Sequence, residues 1–105
     1  MIKKMNIVIV GLGTIGSYFY NYLKKNKNNI FDKTNTMPNI MYVSARSFNK
    51  KRDFSIPRKI WLKNYLSATK IKDVDIIVEL IGGAEGPAKK LVFEALKNKK
   101  HVITA

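Results

Sequence analysis

The hydrophobic positions fall into short runs and stripes whose spacing changes along the chain. Residues 5–10 include four consecutive β-branched side chains, which is typical of a strand buried on both faces of a parallel sheet. From Thr14 onward the spacing becomes helical. The apolar stripe of this helix comprises Ile15, Phe19, Tyr22 and Leu23, and leaves out Tyr18 and Tyr20. We expect the helix to end near Asn26 and a polar loop to occupy residues 27–38.

Three later segments extend the pattern. Apolar runs at residues 39–45 and 74–81 predict a second and a third strand, and residues 101–104 predict a fourth. Pro87 is expected at the first position of the most regular helix, because proline has no N–H group to leave unpaired there. The apolar stripe of that helix comprises Ala88, Leu91, Val92, Ala95 and Leu96.

The segment between the second and third strands has a weaker pattern. Residues 46–58 are polar and cationic, which predicts a loop that can hold a short edge strand at residues 54–56. Residues 59–68 place Leu62, Tyr65 and Leu66 on one side, which predicts a modest helix after Pro57.

Strands and helices therefore alternate, which predicts parallel strands joined by right-handed crossovers. We expect an α/β fold whose open, doubly wound parallel sheet has about four strands and lies between two helical layers. A length of 105 residues is that of one domain, so residues 1–105 are assigned to a single domain. Because no turn or helix follows the last strand, we expect an uncovered edge there and a chain that is a fragment of a larger protein.

Composition narrows the classes of protein that fit this pattern. Hydrophobic residues make up 46% of the chain and charged residues 26%, as in ordinary globular domains. No apolar run approaches the ~20 residues that span a bilayer, and the N-terminal apolar stretch is too short for a signal peptide. The chain has no cysteine, which excludes a disulfide framework and a thiolate zinc site. We expect a cytoplasmic protein with neither a metal site nor a membrane partner.

The net charge of +13 is high for this length and could indicate a nucleic-acid partner. However, all but three of the twenty basic residues are lysines, and asparagine is also abundant. Selection for phosphate binding would favour arginine, whose planar guanidinium matches phosphate geometry. We therefore interpret the charge as a solvated surface of biased composition and expect no nucleic-acid partner.

The most informative motif is a glycine-rich sequence between the first strand and the first helix: Gly11, Leu12, Gly13, Thr14, Ile15 and Gly16. In that context it is typical of a Rossmann-like dinucleotide-binding fold. Gly11 allows a tight turn, Gly13 lets a diphosphate approach the backbone, and Gly16 lets the helix pack closely. The free amides of residues 12–15 and the helix dipole then attract the anion.

The end of the second strand indicates which dinucleotide is preferred. A site selective for NAD places Asp or Glu there to bind the ribose hydroxyls, whereas this chain has Ser44, Ala45 and Arg46. A guanidinium can pair with a 2′-phosphate in a bidentate fork. We therefore expect NADP as the cofactor, with Arg46 as the main phosphate contact and Arg52 as a second candidate. NAD stays open as an alternative.

The third strand ends in a glycine-containing loop that we expect to face the same cofactor. If the second and third strands lie on opposite sides of the first, Ile81, Gly82 and Gly83 border the nicotinamide ribose. Glu79 lies inside an apolar strand, where a carboxylate is usually structural. His101 has no evident acid or nucleophile partner. We therefore assign no catalytic residue within this chain.

Four segments together resemble homoserine dehydrogenase. They are Gly11 to Gly16, Val43 to Arg46, Val78 to Ala88, and Lys100 to Ala105, and they cover the order and approximate spacing of that family's N-terminal nucleotide-binding domain. The resemblance implies reversible reduction of aspartate 4-semialdehyde to homoserine with NADPH or NADH, on the route to threonine and methionine.

The resemblance also implies what is missing. The family's pattern continues after Ala105 with Asn-Lys, and the substrate carboxylates, a catalytic lysine and the dimer-forming sheet belong to the following domain. Only cofactor binding carries over, so we expect the 105 residues alone to be inactive, with substrate binding and homo-oligomerisation confined to the parent protein.

Two other classes stay open besides a nucleic-acid binder, whose basic residues would alternate with stacking aromatics. One is another dehydrogenase of similar fold that acts on an amino-acid intermediate. The other is a regulatory module that senses a dinucleotide without chemistry.

Overall fold

A computed structural model describes residues 3–48, 51–52, 54–82 and 86–104 of the chain. Its strands are β1 (Lys3–Val10), β2 (Thr36–Ser44), β3 (Ile76–Glu79) and β4 (His101–Thr104). Its α-helices are α1 (Thr14–Thr34) and α2 (Pro87–Lys97). Two short 3-10 helices, Arg58–Ile60 and Tyr65–Lys70, lie in the crossover from β2 to β3.

The four strands form one parallel sheet in the order β2-β1-β3-β4. The chain thus adds β2 on one side of β1 and then crosses to the other side to add β3 and β4. The predicted doubly wound α/β fold is confirmed. Because the winding reverses direction at β1, the carboxyl end of β1 lies at the crevice where ligands bind in such sheets.

β1 is buried on both faces, as its β-branched run predicts. Ile7 and Ile9 pack with α1 in one apolar layer, and Val8 and Val10 pack with α2 in the other. The alternation of side chains along a strand produces this division. The sheet is therefore covered on both faces at β1, and the carboxyl end of this strand, at Val10, is held in place.

α1 is longer than the sequence pattern predicts: it runs to Thr34, and the expected loop at residues 27–38 is wrong. Ile30 packs against the same apolar layer as Leu23, seven residues earlier, so the core continues to hold the helix. Asn35 then ends the helix in a left-handed conformation, with its N–H donating to the Phe31 carbonyl at 2.7 Å. β2 begins directly afterwards, at Thr36.

The apolar stripe predicted for α1 is only partly correct. Phe19 and Leu23 do pack in the core, but the rest of the buried face is rotated from the prediction. Tyr20 is the buried tyrosine, only 2% exposed, whereas Ile15 is 64% and Tyr22 is 47% exposed. Gly16 explains the rotation, because a Cβ at that position would lie 1.9 Å from the Gly11 carbonyl oxygen. The helix must turn its glycine toward that carbonyl, and Tyr20 and Leu23 follow Gly16 on the same face.

The buried phenol of Tyr20 gives a test of this packing. Within the described residues its hydroxyl has no hydrogen-bond partner, and burial raises the pKa of Tyr20 above its ordinary value, so the group stays protonated. Tyr20→Phe removes an unpaired polar group and should raise the free energy of unfolding by about 1 kcal/mol. Thermal unfolding measures this gain. The exposed Tyr22→Phe should change nothing, and a loss of stability in Tyr20→Phe would contradict the packing.

The crossover between β2 and β3 differs from its prediction. Residues 54–56 form no strand; instead Trp61 bridges Val43 in parallel, and the Leu62 N–H donates to the Val43 carbonyl at 2.7 Å. Because Trp61 is extended for this bridge, one helix cannot run through residues 59–68, and two 3-10 helices replace it. Asn64 caps the second, Tyr65–Lys70, and its side chain accepts from the Leu66 N–H at 3.0 Å.

The elements of the second half of the chain, β3, α2 and β4, occur in the predicted order. β3 is shorter than residues 74–81, and α2 begins at Pro87 as predicted. Ala88, Leu91 and Ala95 are buried, but Leu96 is exposed, so its place in the predicted stripe is wrong. None of the helices in the described ranges combines the length and the apolar character needed to cross a bilayer.

Candidate dinucleotide-binding site

The turn after β1 is compressed between its two neighbouring strands. Gly11 has φ +108°, and its N–H donates to the Ser44 carbonyl of β2 at 2.8 Å. On the other side, a Cβ on Gly11 would lie 2.6 Å from the Leu80 carbonyl carbon and 2.8 Å from the Ile81 nitrogen. Gly11 therefore meets two separate demands, a positive φ and a close backbone approach, that only glycine satisfies.

Gly16 completes the contact of the helix with this turn. Its hypothetical Cβ overlaps the Gly11 carbonyl and would also lie 3.8 Å from the Leu80 Cβ. The start of α1 is consequently packed onto the turn itself, closer than any side chain would allow. This agrees with the role expected of the third glycine in the motif.

Gly13 is different, because a Cβ there would meet no atom within 4 Å in the part of the chain that the structure describes. Its φ of −74° is accessible to any residue, so neither the fold nor the backbone of this chain requires glycine at this position. The space beside its Cα is open. A ligand that comes close to the backbone is the physical reason for a glycine in such a place.

The start of α1 suits a diphosphate. Among the residues that the structure describes, no side chain caps the helix at Gly13, and the first turn of the helix contains no acidic residue. The first amides of a helix have no intrahelical partner, and together with the helix dipole they attract an anion. Thr14 and Ile15 are exposed, whereas Leu12 is buried beneath the turn. The residues present thus fit a dinucleotide diphosphate held by backbone N–H groups.

Ser17 is a part of this turn that the sequence reasoning missed. Its hydroxyl donates to the Leu12 carbonyl at 3.0 Å, and its N–H donates to the Gly13 carbonyl at 2.9 Å. Both bonds fix the backbone on either side of the free amides. A hydroxyl residue directly after the third glycine was the available signal, because serine often bonds to backbone near a helix start.

At the end of β2 the structure separates the two candidate arginines. Arg46 is exposed just beyond Ser44, whose carbonyl accepts from Gly11, so Arg46 lies at the same end of the sheet as the glycine turn. Arg52 turns back onto the crossover. Its Nη2 donates to the Ser47 carbonyl at 3.0 Å, and its guanidinium lies 5.8 Å from the centre of the Trp61 ring.

At the end of β3 a buried carboxylate shapes the loop. Glu79 is 3% exposed, and its Oε2 accepts from the N–H groups of Ile81 at 2.6 Å and Gly82 at 3.1 Å. The Leu80 N–H donates to the Val10 carbonyl at 2.8 Å, which ties the loop to β1. The structural interpretation of Glu79 is confirmed. Gly83 lies outside the described residues.

The single histidine lies away from this end of the sheet. His101 begins β4, and parallel strands all begin at the edge opposite to the glycine turn. Within residues 3–48, 51–52, 54–82 and 86–104, no three His, Cys, Asp or Glu residues are grouped so as to hold a metal ion. The chemistry that the site offers is thus anion binding by backbone and arginine groups.

Comparison with known proteins identifies the family. Residues 11–105 match the family model described as the NAD-binding domain of homoserine dehydrogenase. The chain belongs to the homoserine dehydrogenase family. The resemblance drawn from the four segments is therefore confirmed, and a nicotinamide dinucleotide is the cofactor of this domain.

Curated homoserine dehydrogenases align over almost all of this chain. Identity is 29% over 103 residues with the enzyme of Bacillus subtilis and 35% over 103 residues with that of Neisseria gonorrhoeae. Each alignment covers 98% of this chain, but only 24% and 23% of those proteins. The chain thus spans about a quarter of the length of the curated relatives that it matches.

Crystal structures of homoserine dehydrogenases share the fold. The S. aureus enzyme at pH 7.0 gives a TM-score of 0.88 at 38% identity, covering 100% of this chain and 26% of that one. The enzyme of Thiobacillus denitrificans gives a TM-score of 0.79 at 28% identity, covering 97% and 23% of the two chains.

Proposed function

We propose that this domain binds NADP in preference to NAD. The observation that carries the proposal is the exposed Arg46 at the carboxyl end of β2, where an NAD-selective site has a carboxylate. The diphosphate lies on the open side of Gly13, and the nicotinamide half extends toward the loop after β3. The proposed contacts are Gly11, Leu12, Gly13, Thr14, Ile15, Gly16, Arg46, Arg52, Ile81, Gly82 and Gly83.

We propose further that the whole protein reduces aspartate 4-semialdehyde reversibly to homoserine. Family membership supports this activity. The chain covers about a quarter of the length of its relatives, which supports coenzyme binding by this chain and catalysis by the remainder of the protein. When bound, the coenzyme supplies the hydride. Residues 1–105 bind and orient the coenzyme, and the substrate-binding and catalytic groups belong to the remainder of the protein.

The same family membership supports the proposed partners and location. We propose a cytoplasmic protein whose partners are the dinucleotide, a small-molecule substrate and further copies of itself, joined through the remainder of the protein. Nucleic acid is not among the proposed partners, because most of the positive charge is carried by lysines rather than by phosphate-matching arginines. A membrane is not among them because no apolar run of the sequence approaches the ~20 residues that span a bilayer.

Titration of the 105-residue chain with NADPH tests dinucleotide binding directly. The amide resonances of residues 12–15 should shift with a saturable dependence on coenzyme concentration, because these N–H groups are proposed to hold the diphosphate. In separate samples of the same chain without added NADPH, homoserine and NADP should give no NADPH absorbance. If the coenzyme bound elsewhere and did not shift these amide resonances, the proposed site would be refuted. Turnover by the 105-residue chain would refute the proposal that catalysis requires the remainder of the protein.

Arg46→Ala tests the preference between the two coenzymes. Loss of a charge-assisted pair should weaken NADPH binding by roughly 10- to 100-fold and leave NADH binding within about twofold. Isothermal titration calorimetry of both coenzymes measures the effect. Lys51→Ala is the matched control, since it removes an exposed positive charge from the same crossover and should leave the ratio of affinities unchanged. Equal losses for NADPH and NADH in Arg46→Ala would contradict the preference.

A further inference from the structure

The crossover after β2 contains a cluster of stacked aromatic and guanidinium groups, here called the crossover cluster: Phe48, Arg52, Arg58 and Trp61. The rings of Phe48 and Trp61 meet edge to face with centroids 5.0 Å apart. The Arg58 guanidinium lies 4.5 Å from the centre of the Phe48 ring, and Arg52 lies over Trp61. The segment that directly follows β2 is therefore held in place by ring contacts with later residues of the crossover.

The cluster is anchored to β2 itself. Trp61 bridges Val43, and the neighbouring Leu62 N–H donates to the Val43 carbonyl at 2.7 Å. Val43 is fully buried, so the anchor point is part of the core. Contacts made by Trp61 consequently fix the crossover relative to the sheet.

The cluster holds the chain on both sides of Arg46. Before it, Val43 is tied to Trp61 and Leu62. After it, the Ser47 carbonyl accepts from Arg52 at 3.0 Å, and the Phe48 ring contacts both Arg58 and the edge-to-face Trp61 ring. Arg46 itself is exposed. Its side chain thus projects from a short backbone segment whose two ends are fixed.

The distribution of arginine supports a specific role for these contacts. In a chain whose basic residues are almost all lysines, the three arginines are Arg46, Arg52 and Arg58, all within thirteen consecutive positions. Two of them stack on aromatic rings, which a planar guanidinium does better than an ammonium group. General basic bias does not account for arginine at stacking positions.

We propose that Phe48 and Trp61 are positioning residues for coenzyme specificity, which act by holding Arg46 ready for the 2′-phosphate. This inference rests on the proposed function of Arg46. A fixed backbone loses less conformational entropy when the guanidinium engages its ligand, so Phe48 and Trp61 strengthen binding without themselves touching the coenzyme. NADH has no 2′-phosphate, so its affinity does not depend on the cluster.

Phe48→Leu tests the proposal, because it keeps an apolar side chain but removes the ring that meets Arg58 and Trp61. Calorimetric titration of the full 105-residue chain should show NADPH affinity reduced by roughly 3- to 10-fold and NADH affinity within about twofold. Phe48→Tyr retains the ring and should restore the ratio of affinities. Phe93→Leu is the control, because Phe93 is an exposed aromatic on α2; it should leave the ratio unchanged.

A second variant does not depend on the fold tolerating a change at Phe48. Arg58→Lys keeps an exposed positive charge but loses the planar stack, and should reduce NADPH affinity selectively by about twofold to threefold. Equal losses for both coenzymes, or no loss in either variant, would overturn the positioning role. Arg46→Ala measured in parallel distinguishes a failure of the positioning role from a failure of the proposed preference for NADP. If Arg46→Ala loses NADPH affinity selectively but Phe48→Leu does not, only the positioning role is overturned. If Arg46→Ala loses affinity for NADPH and NADH equally, the proposed preference for NADP is overturned.

Discussion

Gly13→Ala is expected to weaken dinucleotide binding by on the order of 100-fold while leaving the fold intact. The added methyl group meets no atom of the described residues within 4 Å, and the φ of −74° suits alanine. It does, however, occupy the open space in which the diphosphate reaches the amides of α1. Loss of two charge-assisted hydrogen bonds, about 3 kcal/mol together, corresponds to this weakening.

Calorimetric titration with NADPH and thermal unfolding of the same samples separate the two effects. The unfolding free energy of Gly13→Ala should stay within about 1 kcal/mol of the parent, since glycine and alanine differ modestly at a helix N-cap. Asn28→Ala, an exposed change on α1, is the control for any general effect of substitution in this helix. Unchanged NADPH affinity in Gly13→Ala would place the diphosphate somewhere else.

The arrangement of the sheet could be predicted because the sequence of β1 is compatible with few kinds of fold. Four consecutive β-branched residues can be buried together only when both faces of their strand are covered. That condition calls for helices on both sides and for neighbours on both edges. The glycine motif then orients the fold, since it marks the carboxyl end of β1 as the place where a helix starts. Both conclusions depend on local sequence alone.

The rotation and length of α1 could not be predicted in the same way. The helix has two apolar faces, one with Ile15 and Tyr22 and one with Tyr20 and Leu23, and hydrophobic spacing does not choose between them. The choice is made by Gly16, whose missing side chain is what allows contact with Gly11. The glycine motif does mark Gly16 as a close-packing residue, but a stripe drawn from large residues alone leaves out a residue that has no side chain.

The crossover was missed for a different reason, namely that its contacts are long-range. Trp61 pairs with Val43, eighteen positions earlier, and no local period marks such a bridge. Ser44, likewise, enters the site through its carbonyl, a group that every residue possesses. The sequence could thus indicate the glycine turn and Arg46, whose chemistry is specific to residue type, but not the backbone groups and ring contacts that position them.

Gly16→Ala should destabilise the domain strongly. Helix propensity alone predicts a gain of roughly 1 kcal/mol, because alanine is favoured over glycine inside a helix. The structure predicts the opposite sign, since the new Cβ would lie 1.9 Å from a backbone oxygen that cannot rotate away. We expect a loss of about 3 kcal/mol, a large part of the ~5–15 kcal/mol that holds such a domain together.

Urea unfolding of Gly16→Ala, compared with the parent chain and with Asn28→Ala, measures this difference in sign. Asn28 is exposed on the same helix, so its replacement by alanine follows propensity and should stabilise slightly. NADPH binding should fall together with stability in Gly16→Ala, whereas in Gly13→Ala binding falls alone. A stabilised Gly16→Ala would mean that α1 does not rest on the Gly11 carbonyl, and the rotation that buries Tyr20 would then lose its physical cause.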